Sequence, residues 1–147
     1  MAGIVCAIRG GPLSRPTIDK AIQQALATQQ EIHFLYVVNL DFLSGSLHSP
    51  IQVMTEEMLQ MGEFILLATQ QIAKDKNVVS HAVLRKGSVQ EEIIIICQVI
   101  DADYVVLGKP HQAMEHNVFA NNHINSFAQE VYDASGAQVI FADQEKE

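Results

Sequence analysis

The run Tyr104-Val105-Val106-Leu107 is apolar at every position and stops at Gly108. A strand with one wet face alternates polar and apolar residues; a strand that does not alternate has both faces covered. Ile4–Ile8 and Ile32–Val38 (IHFLYVV) have nearly the same character. Segments of helical period lie between these runs, and crossover helices are what cover both faces of a parallel sheet. A chain with this pattern folds as a layered α/β domain. Its strands deliver backbone to a ligand crevice at their carboxyl ends.

The remaining segments fit that frame. After the turn Arg9-Gly10-Gly11-Pro12, Ser14 is an N-cap candidate, and Ile18, Ala21, Ile22, Ala25 and Leu26 make one helical stripe. A loop from Asn39 to about Pro50 contains Ser44-Gly45-Ser46. Beyond it Met54, Met58, Met61, Ile65, Ala68 and Ile72 hold a helical period. Methionines on one stripe also suit an adaptable binding face, but the stripe matches the side such a helix buries on a sheet.

Val78–Leu84 reads as a third strand, and its Ser80 and His81 suit a sheet edge. Gly87-Ser88 opens a third helix bearing Val89, Ile93, Ile96, Cys97 and Ile100, with Glu91-Glu92 in its first turn. Asn125-Ser126 opens a fourth helix that runs to about Ser135 and stops at Gly136. Ala137–Ala142 is a fifth strand, and Asp143–Glu147 a polar tail. With no internal repeat or linker, residues 1–147 form a single domain: a three-layer α/β/α sandwich on a five-stranded, mainly parallel sheet.

Composition narrows the partners. An apolar share of 48% with 18% charged residues is that of a packed protein. No fully apolar run exceeds Ile93–Cys97 in length, far short of the ~20 residues that span a bilayer. Met1-Ala2-Gly3-Ile4-Val5 enters strand-like sequence with no basic leader, so a cytoplasmic protein is expected. The net charge is −8, and the nine Lys and Arg form no run longer than Arg85-Lys86, which excludes nucleic acid and anionic membrane as partners. Cys6 and Cys97 sit among aliphatic residues and read as small core residues.

Several segments together resemble the universal stress protein family over essentially the whole chain. They are the opening strand with Gly10 and Pro12-Leu13-Ser14, Leu35-Tyr36-Val37-Val38, Gly87-Ser88-Val89-Gln90-Glu91-Glu92-Ile93, and Asp101-Ala102-Asp103-Tyr104-Val105-Val106-Leu107-Gly108. Asn125-Ser126-Phe127-Ala128-Gln129-Glu130-Val131 and Ala137-Gln138-Val139-Ile140-Phe141 complete the set. The resemblance implies strand order 3-2-1-4-5, a role in stress response, and a homodimer through strand 137–142.

The resemblance also implies an ATP site at the carboxyl ends of strands one and four. Its motif is a glycine, two residues, a second glycine, nine residues, then glycine and a serine or threonine. Such a site needs backbone close to phosphate oxygens and helix N–H groups aimed at them. Laid on this chain, the first glycine is Gly108 and the final hydroxyl Ser126, while His111 and Asn125 stand at the other two glycine positions. The gap Gln112–Ile124 holds thirteen residues, and Arg9 replaces the family's aspartate at the end of strand one. These changes imply a degenerate motif that does not bind ATP in the ordinary way.

Candidate ligand-binding residues are therefore Arg9, Val38, Gly108, Lys109, His111, Asn125 and Ser126. Arg9 and Lys109 suit a small anionic ligand at the strand ends, with Ser126 and the first N–H groups of the fourth helix as donors. His111, His116 and His123, with Asn117, Asn121 and Asn122, make loop 109–125 rich in ligating groups, but their spacing matches no metal pair on a helix. His33 and His81 lie inside strands and read as hydrogen-bonded structural residues. No nucleophile elbow or activated cysteine is visible. The expected function is a non-enzymatic, homodimeric binding or signalling module without metal or resident cofactor. One alternative is a sensor of ATP, AMP or another anion through loop 109–125, with Val38 and Gly108 framing base and ribose. A weak ATPase is the other.

Overall fold

The computed structural model describes residues 3–9, 14–39, 50–108 and 118–142, with no side-chain detail for 50–54 and 118–124. Five strands, β1 (Ile4–Ile8), β2 (Ile32–Val38), β3 (Ser80–Lys86), β4 (Tyr104–Gly108) and β5 (Gln138–Ala142), alternate with four helices. The helices are α1 (Arg15–Thr28), α2 (Pro50–Asp75), α3 (Val89–Ile100) and α4 (Val118–Ser135). The sheet order is β3-β2-β1-β4-β5 and every pairing is parallel. The expected order holds, and "mainly parallel" becomes wholly parallel.

Strand alternation splits the core in two. Ile4, Cys6 and Ile8 of β1 and Phe34 of β2 meet Ile18, Ala21, Ile22 and Ala25 of α1 and Leu66 and Ala73 of α2. Val5, Leu35 and Val105 face the other way, onto Ile93, Ile96 and Cys97 of α3 and Phe127 and Val131 of α4. A central strand buried on both sides needs no polar alternation, as the sequence of β1, β2 and β4 shows.

Local readings of α1, α2 and β3 are corrected. Helix α2 begins at Pro50, which the sequence placed in the preceding loop; at the first helical position proline loses no hydrogen bond. Its buried line runs through Gly62, Leu66, Thr69 and Ala73, while Met61 is 59% exposed and Ala68 also faces water. Gly62 is the reason: a Cβ there would lie 2.8 Å from both Leu84 Cδ1 and Tyr36 Cδ1. The missing side chain lets the helix settle on β2 and β3 along this line, so that of the expected stripe Ile65 and Ile72 still pack on the core while Met61 and Ala68 face water. On α1, Leu26 likewise is exposed and the four residues before it in the stripe are buried.

Strand β3 starts at Ser80, not Val78. Asn77 takes a left-handed φ of 63° and the Val78 N–H returns to the Ala73 carbonyl, so Val78 closes the end of α2. The isoleucine run does form a helix, and Gly136, at φ 81°, does end α4.

Candidate functional site

The carboxyl ends of β1 and β4 are neighbours. Their register pairs Cys6 with Val106, so continuing it sets Ile8 level with Gly108. Arg9 follows Ile8 directly and is exposed. Its backbone N–H donates to Ser14 Oγ at 3.2 Å. The predicted N-cap serine thus makes no capping bond on α1; it ties the strand end to the helix start.

Gly108 is a position of close approach, but to protein. A Cβ on it would sit 2.8 Å from Thr17 Oγ1, in the first turn of α1. Thr17 and Ser14 are both buried polar residues at this end of the sheet, and the sequence reading gave neither a place in the crevice. The signal available for Thr17 was its position four residues before Ala21, on the buried stripe. Val38 is buried, and its carbonyl accepts the Gly87 N–H at 3.0 Å, which commits it to the β3–α3 turn.

Helix α4 changes the picture most. It begins at Val118, so Asn125 and Ser126 lie inside it and do not open it. At 1.5 Å per residue, Ser126 is about 12 Å along the axis from the first residue. Its N–H bonds within the helix, beyond the first turn whose N–H groups have no partner in the helix itself. The Ser126 side chain faces outward, onto an open groove of about 510 Å³ shared with Gln129, Glu130, Asp133 and Ala134. The structure therefore gathers Arg9, Val38 and Gly108 at one end of the sheet and sets Ser126 on the outer surface of α4. Lys109 and His111 fall outside the described residues, as do His116 and the side chain of His123.

Neither cysteine is a ready nucleophile. Both are buried; burial pushes the Cys6 thiol far up and the Cys97 thiol up to about 12, the latter slightly opposed by Ser135. Among the described residues, no three His, Cys, Asp or Glu side chains are placed to hold a metal. No helix among the described residues is long and apolar enough to cross a membrane.

The profile of the universal stress protein family matches residues 2–137. The chain belongs to the universal stress protein family. No curated protein sequence matches it. Among solved structures, this family member is similar to the universal stress protein UspA from Lactobacillus plantarum, with a TM-score of 0.73, 18% identity, and 96% and 97% of the two chains covered. It is similar too to a universal stress protein from Archaeoglobus fulgidus in complex with dAMP (TM-score 0.62, 14% identity, 97% and 98% covered). A universal stress protein in complex with cAMP gives a TM-score of 0.67 at 16% identity, covering 98% of each chain. Likeness at this identity concerns the fold.

Proposed function

We propose that this family member is a cytoplasmic, homodimeric stress-response module that binds or signals without catalysis and does not hold ATP in the family's usual cradle. The observation that carries this reading is the place of Ser126. Its N–H is committed inside α4, and its side chain shares a groove with Glu130 and Asp133. Among the described residues, a phosphate there would meet two carboxylates and no free backbone donor. Gly108, the retained motif glycine, is accounted for by Thr17. Each lost N–H contact to a charged oxygen is worth about 1.5–3 kcal/mol, and two or three remove micromolar affinity.

The homodimer reading rests on β5, an edge strand whose Val139, Ile140 and Phe141 are half-buried in the single chain. The stretch Ala137–Ala142 carries no lysine, proline or inward charge to blunt that edge. A two-fold antiparallel pairing would satisfy both copies and close on itself.

A second reading, an adenine-nucleotide or anion sensor built on residues 109–125, of which 118–125 belong to α4, is favoured by the exposed Arg9 beside the strand ends and by the dAMP and cAMP complexes of similar proteins. Titration calorimetry with ATP, AMP and cAMP, with mass spectrometry of ligands extracted from the purified protein, separates the two. The expected result is no saturable ATP binding at micromolar concentration. Tight ATP binding abolished by Ser126→Ala overturns the first reading, and co-purified AMP or cAMP establishes the second.

A further inference from the structure

At the amino-terminal end of the sheet, far from the crevice, His33 and His81 sit opposite each other in the β2–β3 register. Their ring centroids are 4.7 Å apart and their planes 23° from parallel. His81 Nε2 lies 2.7 Å from Glu31 Oε1, so His81 is hydrogen-bonded as its sequence position suggested. His33 is less well served: its Nδ1 is buried with no partner in hydrogen-bonding geometry, and a hydrogen bond with the Ile4 backbone offsets this burial only in part. The His33 ring packs on Gly3, where an added Cβ would come within 3.4 Å of Cε1.

An unpaired lone pair on a neutral imidazole is a tolerable burial; an unpaired N–H on an imidazolium is not. Protonating His33 would also place its charge at stacking distance of the His81 ring, which opposes it. We propose that His33, His81 and Glu31 form a proton-operated latch on edge strand β3, closed while the His33 ring is neutral and released when it is protonated. Strand β3 is the element to yield because it has a sheet neighbour on one side alone.

The surroundings leave the pair to itself. By alternation with Phe34, His33 faces the α3 and α4 side. There β1 presents the Gly3 and Ile4 backbone, and α3 contributes apolar Ile100 to the core layer. Asp101 caps the end of α3, and Asp103 accepts from Gln30 Nε2 at 2.7 Å. Lys74, Asp75 and Lys76 lie where α2, packed on the opposite face, turns into β3. Of all these charges only His81 and Glu31 act on His33. Burial lowers its pKa most, His81 lowers it further, and Glu31 and the Ile4 backbone oppose in part.

The sign follows. The closed form binds the His33 proton less tightly than an open chain does, so the latch is fully stable above the ordinary imidazole pKa of about 6.5. It weakens as pH falls from there toward the lowered value.

Amide hydrogen exchange between pH 7.5 and 5.0, corrected for intrinsic rates, tests this on the full chain. Protection of Ser80–Lys86 is expected to fall by about tenfold in all, and by no more than tenfold per pH unit, the limit for one proton. Protection of Ile4–Ile8 should hold. His33→Phe, which cannot protonate, should abolish the acid response, and His81→Asn, at an exposed position, should cut it at least threefold. A flat wild-type profile overturns the proposal, as does a response that survives either substitution unchanged.

Discussion

Replacing Ser126 with proline distinguishes two positions of the α4 start by the size of one number. In a helix that begins at Val118, residue 126 lies more than two turns inside. A proline there removes the N–H bond to the carbonyl four residues back and drives its ring into that carbonyl, costing about 3 kcal/mol or more. In a helix opened by Asn125, residue 126 would be the first helical position, where proline is favoured. With a urea slope of about 1–3 kcal/mol/M, the interior position predicts a midpoint lowered by roughly 1–3 M. Far-UV circular dichroism through a urea titration gives the midpoint and the helical signal together. Should the first turns fray instead, the signal drops because the residues before 126 leave the helix. Ser126→Ala is the control. In the helix interior it should stabilise by a few tenths of a kcal/mol, whereas loss of a cap would cost about 1 kcal/mol. A proline variant with unchanged midpoint and unchanged ellipticity refutes the placement, and with it the argument that Ser126 offers no backbone donor to phosphate.

Phe34 is fully buried between β1, α1 and α2, so Phe34→Ala should cost about 3–5 kcal/mol and lower the thermal midpoint by roughly 6–20 °C; a drop below about 3 °C would contradict its place in the core. Because burial raises both thiols, Ellman's reagent at pH 8 should label Cys6 and Cys97 at least 100-fold more slowly in the native protein than in ~6 M urea. Rapid native labelling would mean solvent reaches one of them. Light scattering should give a dimer for the unmodified chain and a monomer for Ile140→Lys or Phe141→Lys, and a native chain that stays monomeric at high micromolar concentration removes β5 as a dimer edge.

Much of the fold was legible because it depends on local chemistry. The unbroken apolar runs of β1, β2 and β4 announced strands covered on both faces, and Ser80 and His81 announced an edge. Gly136 marked the end of α4 by its freedom at positive φ. Even the true start of α4 left a trace: Ala120, Ile124, Phe127 and Val131 follow a helical period, masked by weak helix formers at Asn121, Asn122 and Asn125.

What sequence could not decide was which side of a period meets a partner and how closely. Met61 and Ala68 fall off the buried side of α2 because its closest approach is at Gly62, against Tyr36 and Leu84 on two other elements. Gly108, which the sequence offered as the first glycine of a nucleotide motif, lies against Thr17 of a helix some ninety positions earlier. His33 and His81, each unremarkable alone, become a stacked pair only when β2 and β3 align. A residue's period and cap are set by its neighbours along the chain. Its contacts, burial and charge environment are set by residues that only folding brings near.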